Sequence, residues 1–211
     1  MIFIRYENWK SYIRYYPVTS LLLLANVIMF LVLTFNGGST DVYNLVDFGA
    51  MVDVDPYKSE WWRYFTAIFL HNGFSHLLFN SFALLVFAPP LERLLGWWRY
   101  AFLYIAGGMI ANVLAIAVSS RSVMEGGHVS VGASGAIYAV YGAFLYIALV
   151  QRAMMDESSR KTVYAMLAIG VVMSFAMPNV NWAAHLGGLV AGFFLYGLII
   201  RVFHRNRRQG R

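Results

Sequence analysis

The chain has 211 residues, 60% hydrophobic and only 12% charged. A soluble domain carries about 25% charged residues, so lipid is the main solvent for this one. The absence of cysteine excludes disulfides, Cys-ligated metals and thiol nucleophiles. A net charge of +6 would suit a nucleic-acid binder, but the basic residues follow a membrane pattern instead.

Six apolar stretches follow in chain order: Val18–Phe35, Leu77–Leu95, Tyr100–Val118, Gly132–Val150, Val163–Met177 and Trp182–Val202. A helix crossing the hydrocarbon core needs about 20 residues, with a range of about 17–25. Only the fifth stretch is short. The first follows Arg5, Lys10 and Arg14 and could be taken for a signal peptide. It is long for a signal core, and Asn36–Asp41 offers no small-x-small cleavage site, so it reads as a retained span. With the N-terminus cytoplasmic, only Lys58, Arg63 and Arg121 fall outside, and the other 13 of the 16 Lys and Arg lie inside. The expectation is a single domain over residues 1–211. It is an all-α membrane protein of six transmembrane helices with both termini cytoplasmic. The basic tail anchors that topology and is no nucleic-acid arm.

The longest connection, Gly37–Leu70, interleaves aromatic residues with Asp41, Asp47, Asp53 and Asp55. It suits the outer membrane interface. The connection Gln151–Lys161 is short and charged. Pro178–Asn181 is shorter still, which makes the fifth and sixth spans antiparallel neighbours. No internal repeat of the transporter kind is present.

Polar groups at membrane depth are costly and mark function. They are few here: His71, Ser75, His76, Asn80 and Ser81 near the start of the second span, Asn112 in the third, Ser134 and Tyr138 in the fourth, Ser174 in the fifth and His185 in the sixth. Counting from the cytoplasmic anchors at about 1.5 Å per residue, Ser134 lies roughly 27 Å from Arg152, His185 roughly 24 Å from Arg201 and His76 roughly 26 Å from Arg93. Three spans thus bring polar residues to one level, just below the outer surface of a core about 30 Å thick. Asn80 comes one turn deeper.

Glycines 126, 127, 132 and 135 surround Ser134, and glycine permits irregular backbone and close approach. Ser134 opens a helix, whose free N–H groups can stabilise an oxyanion. Tyr138 shares its helix face, with Gly142 a turn further on. His185 precedes Gly188 and Gly192, a spacing that favours tight helix contact and carries the imidazole toward Ser134. A serine hydroxyl needs a base, and neutral imidazole is the usual one. No carboxylate lies deep enough to orient the ring, so the unit reads as a dyad. His76 and Asn80, four apart on one face, can both donate to an oxyanion. Asn112 and Ser174 read as helix–helix hydrogen-bonding residues.

These residues together resemble the rhomboid family of intramembrane serine proteases. The resemblance rests on Trp62-Arg63, His76-x-x-x-Asn80, Gly132-Ala133-Ser134-Gly135 with Tyr138, and Ala184-His185-x-x-Gly188, in order along essentially the whole chain. It implies Ser134 as nucleophile and His185 as general base. His76, Asn80 and the Ser134 N–H would form the oxyanion hole, and Tyr138 would support the His185 ring. His71 would back the oxyanion side, Trp62-Arg63 would be structural, and the fifth span would gate lateral entry. It also implies transmembrane protein substrates in a lipid bilayer, no cofactor and no metal. The expected location is the bacterial plasma membrane, with the site open to the outside. One departure is Ala88 before Pro89-Pro90, where many relatives have glycine, which puts the local helix break in doubt.

Two other readings compete. One is an inactive relative that binds membrane clients, which loss of Ser134 or His185 would have favoured. The other is a transporter or metal site built from His71, His76 and His185. Transporters usually carry intramembrane carboxylates or inverted repeats, and neither is seen.

Overall fold

The computed structural model describes residues 2–4, 6–118, 128–177 and 180–209, with side chains as far as Val202. Glycines 126 and 127 and residues 178–179 of the last connection lie outside the described residues.

Helix α1 (Trp9–Tyr15) starts at Asn8, whose side chain accepts from the Ser11 N–H. Pro17 then opens α2 (Pro17–Phe35), its fixed φ suiting a first helical position. The long connection contains α3 (Val42–Asp47), β1 (Met51–Val52) and α4 (Arg63–Thr66). There follow α5 (Phe74–Leu95), α6 (Trp97–Val118), β2 (Val129–Ser130), α7 (Ser134–Val150), α8 (Glu157–Ala176) and α9 (Trp182–Gln209).

Four of these helices, α2, α5, α6 and Trp182–Val202 of α9, are long and apolar enough to cross a membrane by length and composition. Helix α7 is apolar but has only 17 residues. At about 1.5 Å per residue it is roughly 25 Å long, short of the core thickness of about 30 Å. Helix α8 has 20 residues, but Glu157, Arg160 and Lys161 take up its first turns and leave a short apolar remainder. The apolar runs therefore locate all six long helices but miss their ends. Helix α5 begins at Phe74 rather than Leu77, and α8 at Glu157 rather than Val163.

Helix α7 forms the centre: thirteen of its 17 residues are buried. Helix α8 lies at the edge, with only Ser159, Val163, Leu167 and Ser174 buried. Backbone approaches backbone along the seam between α7 and α9. A Cβ added at Gly188 would collide with the Gly135 carbonyl, one at Gly192 with the Ala139 carbonyl, and one at Gly142 with the Leu189 carbonyl. Three glycines thus set the distance between these helices, and with it the height of His185 relative to Ser134.

Helix α5 continues through Pro89 and Pro90 to Leu95 without a break. One turn from its end, Glu92 is 2% exposed and folds back onto the start of α2. It accepts from the Val18 N–H (2.8 Å), the Thr19 N–H (2.9 Å) and the Thr19 hydroxyl (2.6 Å). A carboxylate at a helix N-terminus satisfies orphan donors and favours the dipole.

Candidate active site

The loop that leads into Ser134 is built before the helix that carries it. Val129 and Ser130 pair antiparallel with Val52 and Met51 of the long connection. The Gly132 N–H donates to the Ala67 carbonyl at 2.8 Å. Gly132 then takes φ +126, a conformation that favours glycine. A Cβ there would stand 2.6 Å from Cε1 and 2.7 Å from Nε2 of His76, and 3.6 Å from the Asn80 amide nitrogen. Only a residue without a side chain lets this loop lie against both donors.

Around Ser134 the helices enclose a cavity of roughly 360 Å³. Its walls come from α5 (Phe79, Asn80, Ala83), α7 (Ser134, Ile137, Tyr138, Tyr141), α8 (Met166, Ile169, Gly170) and α9 (His185). Ser134, Asn80, Tyr138 and His185 are thus brought to one space. Asn80 is 6% exposed, and its amide nitrogen has no hydrogen-bond partner among the described residues. A buried donor left unpaired costs stability and calls for an explanation in function. His76 accepts from the Asn72 N–H through Nδ1, at a long 3.4 Å. That leaves its Nε2 on the side that faces Gly132.

His71 does not line the cavity. It is fully buried behind His76, edge-on with ring centroids 5.1 Å apart.

The His185 ring stacks on Tyr138 with centroids 4.2 Å apart and planes 12° from parallel. Its other contact is one that sequence reasoning had given a blander role. Ser174 of α8 reaches across, with Oγ 2.6 Å from His185 Nδ1 and 3.0 Å from the Tyr138 hydroxyl. Spacing put Ser174 at membrane depth but could not say which helix it would face. Asn181, whose side chain accepts from the Ala184 N–H at 3.0 Å, caps the start of α9 and also donates to Ser130. The sixth long helix is thereby tied to the loop that leads into Ser134.

Trp62 and Arg63 stand away from the cavity and hold the long connection together. Arg63 is 5% exposed, donates to the Val46 and Ala50 carbonyls, pairs with Glu60 and lies over the Tyr57 and Trp62 rings. Asn112 donates to the Tyr64 carbonyl at 2.9 Å, fixing the short α4 to α6.

A family model described as the Rhomboid domain matches residues 58–202. The chain belongs to the rhomboid family. Among similar proteins, YdcA of Bacillus subtilis (strain 168) is 36% identical over 205 residues, 97% of this chain and 100% of YdcA. Rhomboid protease GluP of the same organism is 36% identical over 176 residues, 83% of this chain but only 33% of GluP. RHOMBOID-like protein 5 of Arabidopsis thaliana is 33% identical over 146 residues, 68% of this chain and 46% of that protein. The rhomboid described here is an integral membrane protein, and its matched region runs from the long connection to the end of the last apolar stretch.

Proposed function

We propose that this rhomboid is a serine endopeptidase that cuts transmembrane segments of single-span proteins within the bilayer, near its outer surface. The observation that carries the reading is the shared cavity. The Ser134 hydroxyl, the His185 imidazole and the Asn80 amide, whose nitrogen has no partner among the described residues, meet there between helices that a substrate enters from the side.

A substrate helix unwinds near the surface, and its chain passes between α5 and α8. Ser134 Oγ attacks the scissile carbonyl carbon while His185 takes the hydroxyl proton. The carbonyl oxygen becomes an oxyanion, held by the Asn80 amide, His76 and the Ser134 N–H. When the intermediate collapses, His185 returns the proton to the leaving amine. Water then repeats the attack on the acyl-enzyme and regenerates Ser134. No cofactor is required. Six spans, cytoplasmic termini and a site opening outward fit the distribution of Lys and Arg. A bacterial plasma membrane fits the similarity to the Bacillus subtilis proteins.

The test is labelling of the wild type, Ser134→Ala and His185→Ala with a fluorescent serine-hydrolase probe. Labelling of wild type alone is expected. Persistent labelling of Ser134→Ala would remove it as nucleophile. A folded wild type that never labels would favour an inactive, client-binding protein.

A further inference from the structure

One assignment of protons satisfies all three polar contacts of Ser174. Its Oγ has three polar neighbours: the Gly170 carbonyl at 2.7 Å, His185 Nδ1 at 2.6 Å and the Tyr138 hydroxyl at 3.0 Å. A hydroxyl has one proton to give and two lone pairs to receive with. The Gly170 carbonyl can only accept, so the Ser174 proton goes there. Both remaining contacts must then bring protons to Ser174, one from Nδ1–H of His185 and one from the Tyr138 hydroxyl. In the neutral ring, a proton on Nδ1 leaves the Nε2 lone pair free.

We propose that Ser174 is a positioning residue for His185, one that holds the imidazole in the Nδ1–H tautomer and so keeps Nε2 as the base. This rests on the Ser134–His185 reading above. Ser174 fills the place that a carboxylate occupies in a triad, with a neutral acceptor that membrane depth can tolerate. It is 3% exposed, so its hydroxyl is shielded from water. When Ser134 transfers its proton, the imidazolium keeps the same bond to Ser174, now charge-assisted. Ser174 sits on α8, a helix with few buried residues, so the base keeps its orientation only while the outer part of α8 is seated. The flat stack on Tyr138 fixes the plane of the ring but not which nitrogen carries the proton.

The experiment compares labelling rates of membrane-reconstituted wild type, Ser174→Ala, Ser174→Thr, Ser134→Ala and His185→Ala with a fluorophosphonate probe. It adds ¹⁵N-histidine NMR of the tautomer in the Ser134→Ala background. The chain has five histidines, and the His185→Ala difference spectrum assigns the signal. Ser174→Ala is expected to label about tenfold or more slowly. Ser174→Thr, which keeps the hydroxyl, should recover most of the rate. The His185 signal should be Nδ1-protonated with serine and mixed with alanine. A wild-type rate in Ser174→Ala would overturn the proposal. So would a slowed rate with an unchanged tautomer, which would mean that Ser174 only packs α8. If Ser134→Ala or His185→Ala still labels at the wild-type rate, the dyad itself fails, whatever Ser174 does.

Discussion

At the scale of single residues, the site contains a donor with nothing to donate to and a ring held on two sides. The Asn80 amide nitrogen is buried and has no partner among the described residues, four residues from His76 and close to the backbone that leads into Ser134. Replacing Asn80 with Ala removes a donor that strengthens its bond only as the oxyanion forms. Turnover of a transmembrane substrate should fall by about tenfold or more, with KM little altered. Unchanged turnover would take Asn80 out of the oxyanion hole. Tyr138 makes two contacts with different consequences. The stack depends on the ring, while the hydroxyl gives one of two bonds into Ser174. Tyr138→Phe keeps the ring and leaves Ser174 anchored on Gly170, so substantial activity should survive. Complete loss in a folded variant would show that the hydroxyl does more than support.

Between elements, two kinds of contact set the architecture, and only one has a pattern visible in sequence. The seam of α7 and α9 is made of glycines at helical spacing, which can be read from Gly188 and Gly192 before any coordinates are known. The cap on α2 is different. Glu92 and Thr19 are far apart in the chain, and nothing local says that an acidic residue at the end of one apolar run will cover the start of another. Glu92→Ala would strand two backbone donors and a hydroxyl at a buried helix start. The expected cost is about 2–4 kcal/mol, read as a lower midpoint of unfolding in detergent. The rate of probe labelling per folded molecule should hardly change, because α2 contributes nothing to the cavity wall. A midpoint equal to that of wild type would show that this cap is dispensable.

For the molecule as a whole, the question is which end faces which side. The site lies at the end that carries the long connection, and among the described residues most Lys and Arg lie at the opposite end. The natural absence of cysteine makes this measurable with single introduced thiols. Lys58→Cys, exposed in the long connection, should react with an impermeant maleimide on intact cells. Ser158→Cys, exposed at the start of α8, should react only after the membrane is opened. The reverse pattern would invert the topology and move the cavity to the cytoplasmic side.

The sequence by itself determined the solvent, the positions of the six long helices and a short set of polar residues within them. These are properties of hydropathy and helical rise, which are local and additive along the chain. It also presented Asn80, Ser134, Tyr138 and His185 of the cavity wall, since polar side chains in lipid are few and each must have a reason to be there. Only the tertiary structure decided what those residues touch. The reach of Ser174 to His185, the burial of Glu92 under α2 and the β-pairing of Val129–Ser130 with Met51–Val52 join segments far apart in the chain or on different helices. Helix ends moved for the same reason. Gly132 leaves the fourth helix because its backbone must turn aside for His76 and Asn80, a demand made by another span. Such contacts depend on how helices rotate and pack against one another, and hydropathy is nearly blind to rotation.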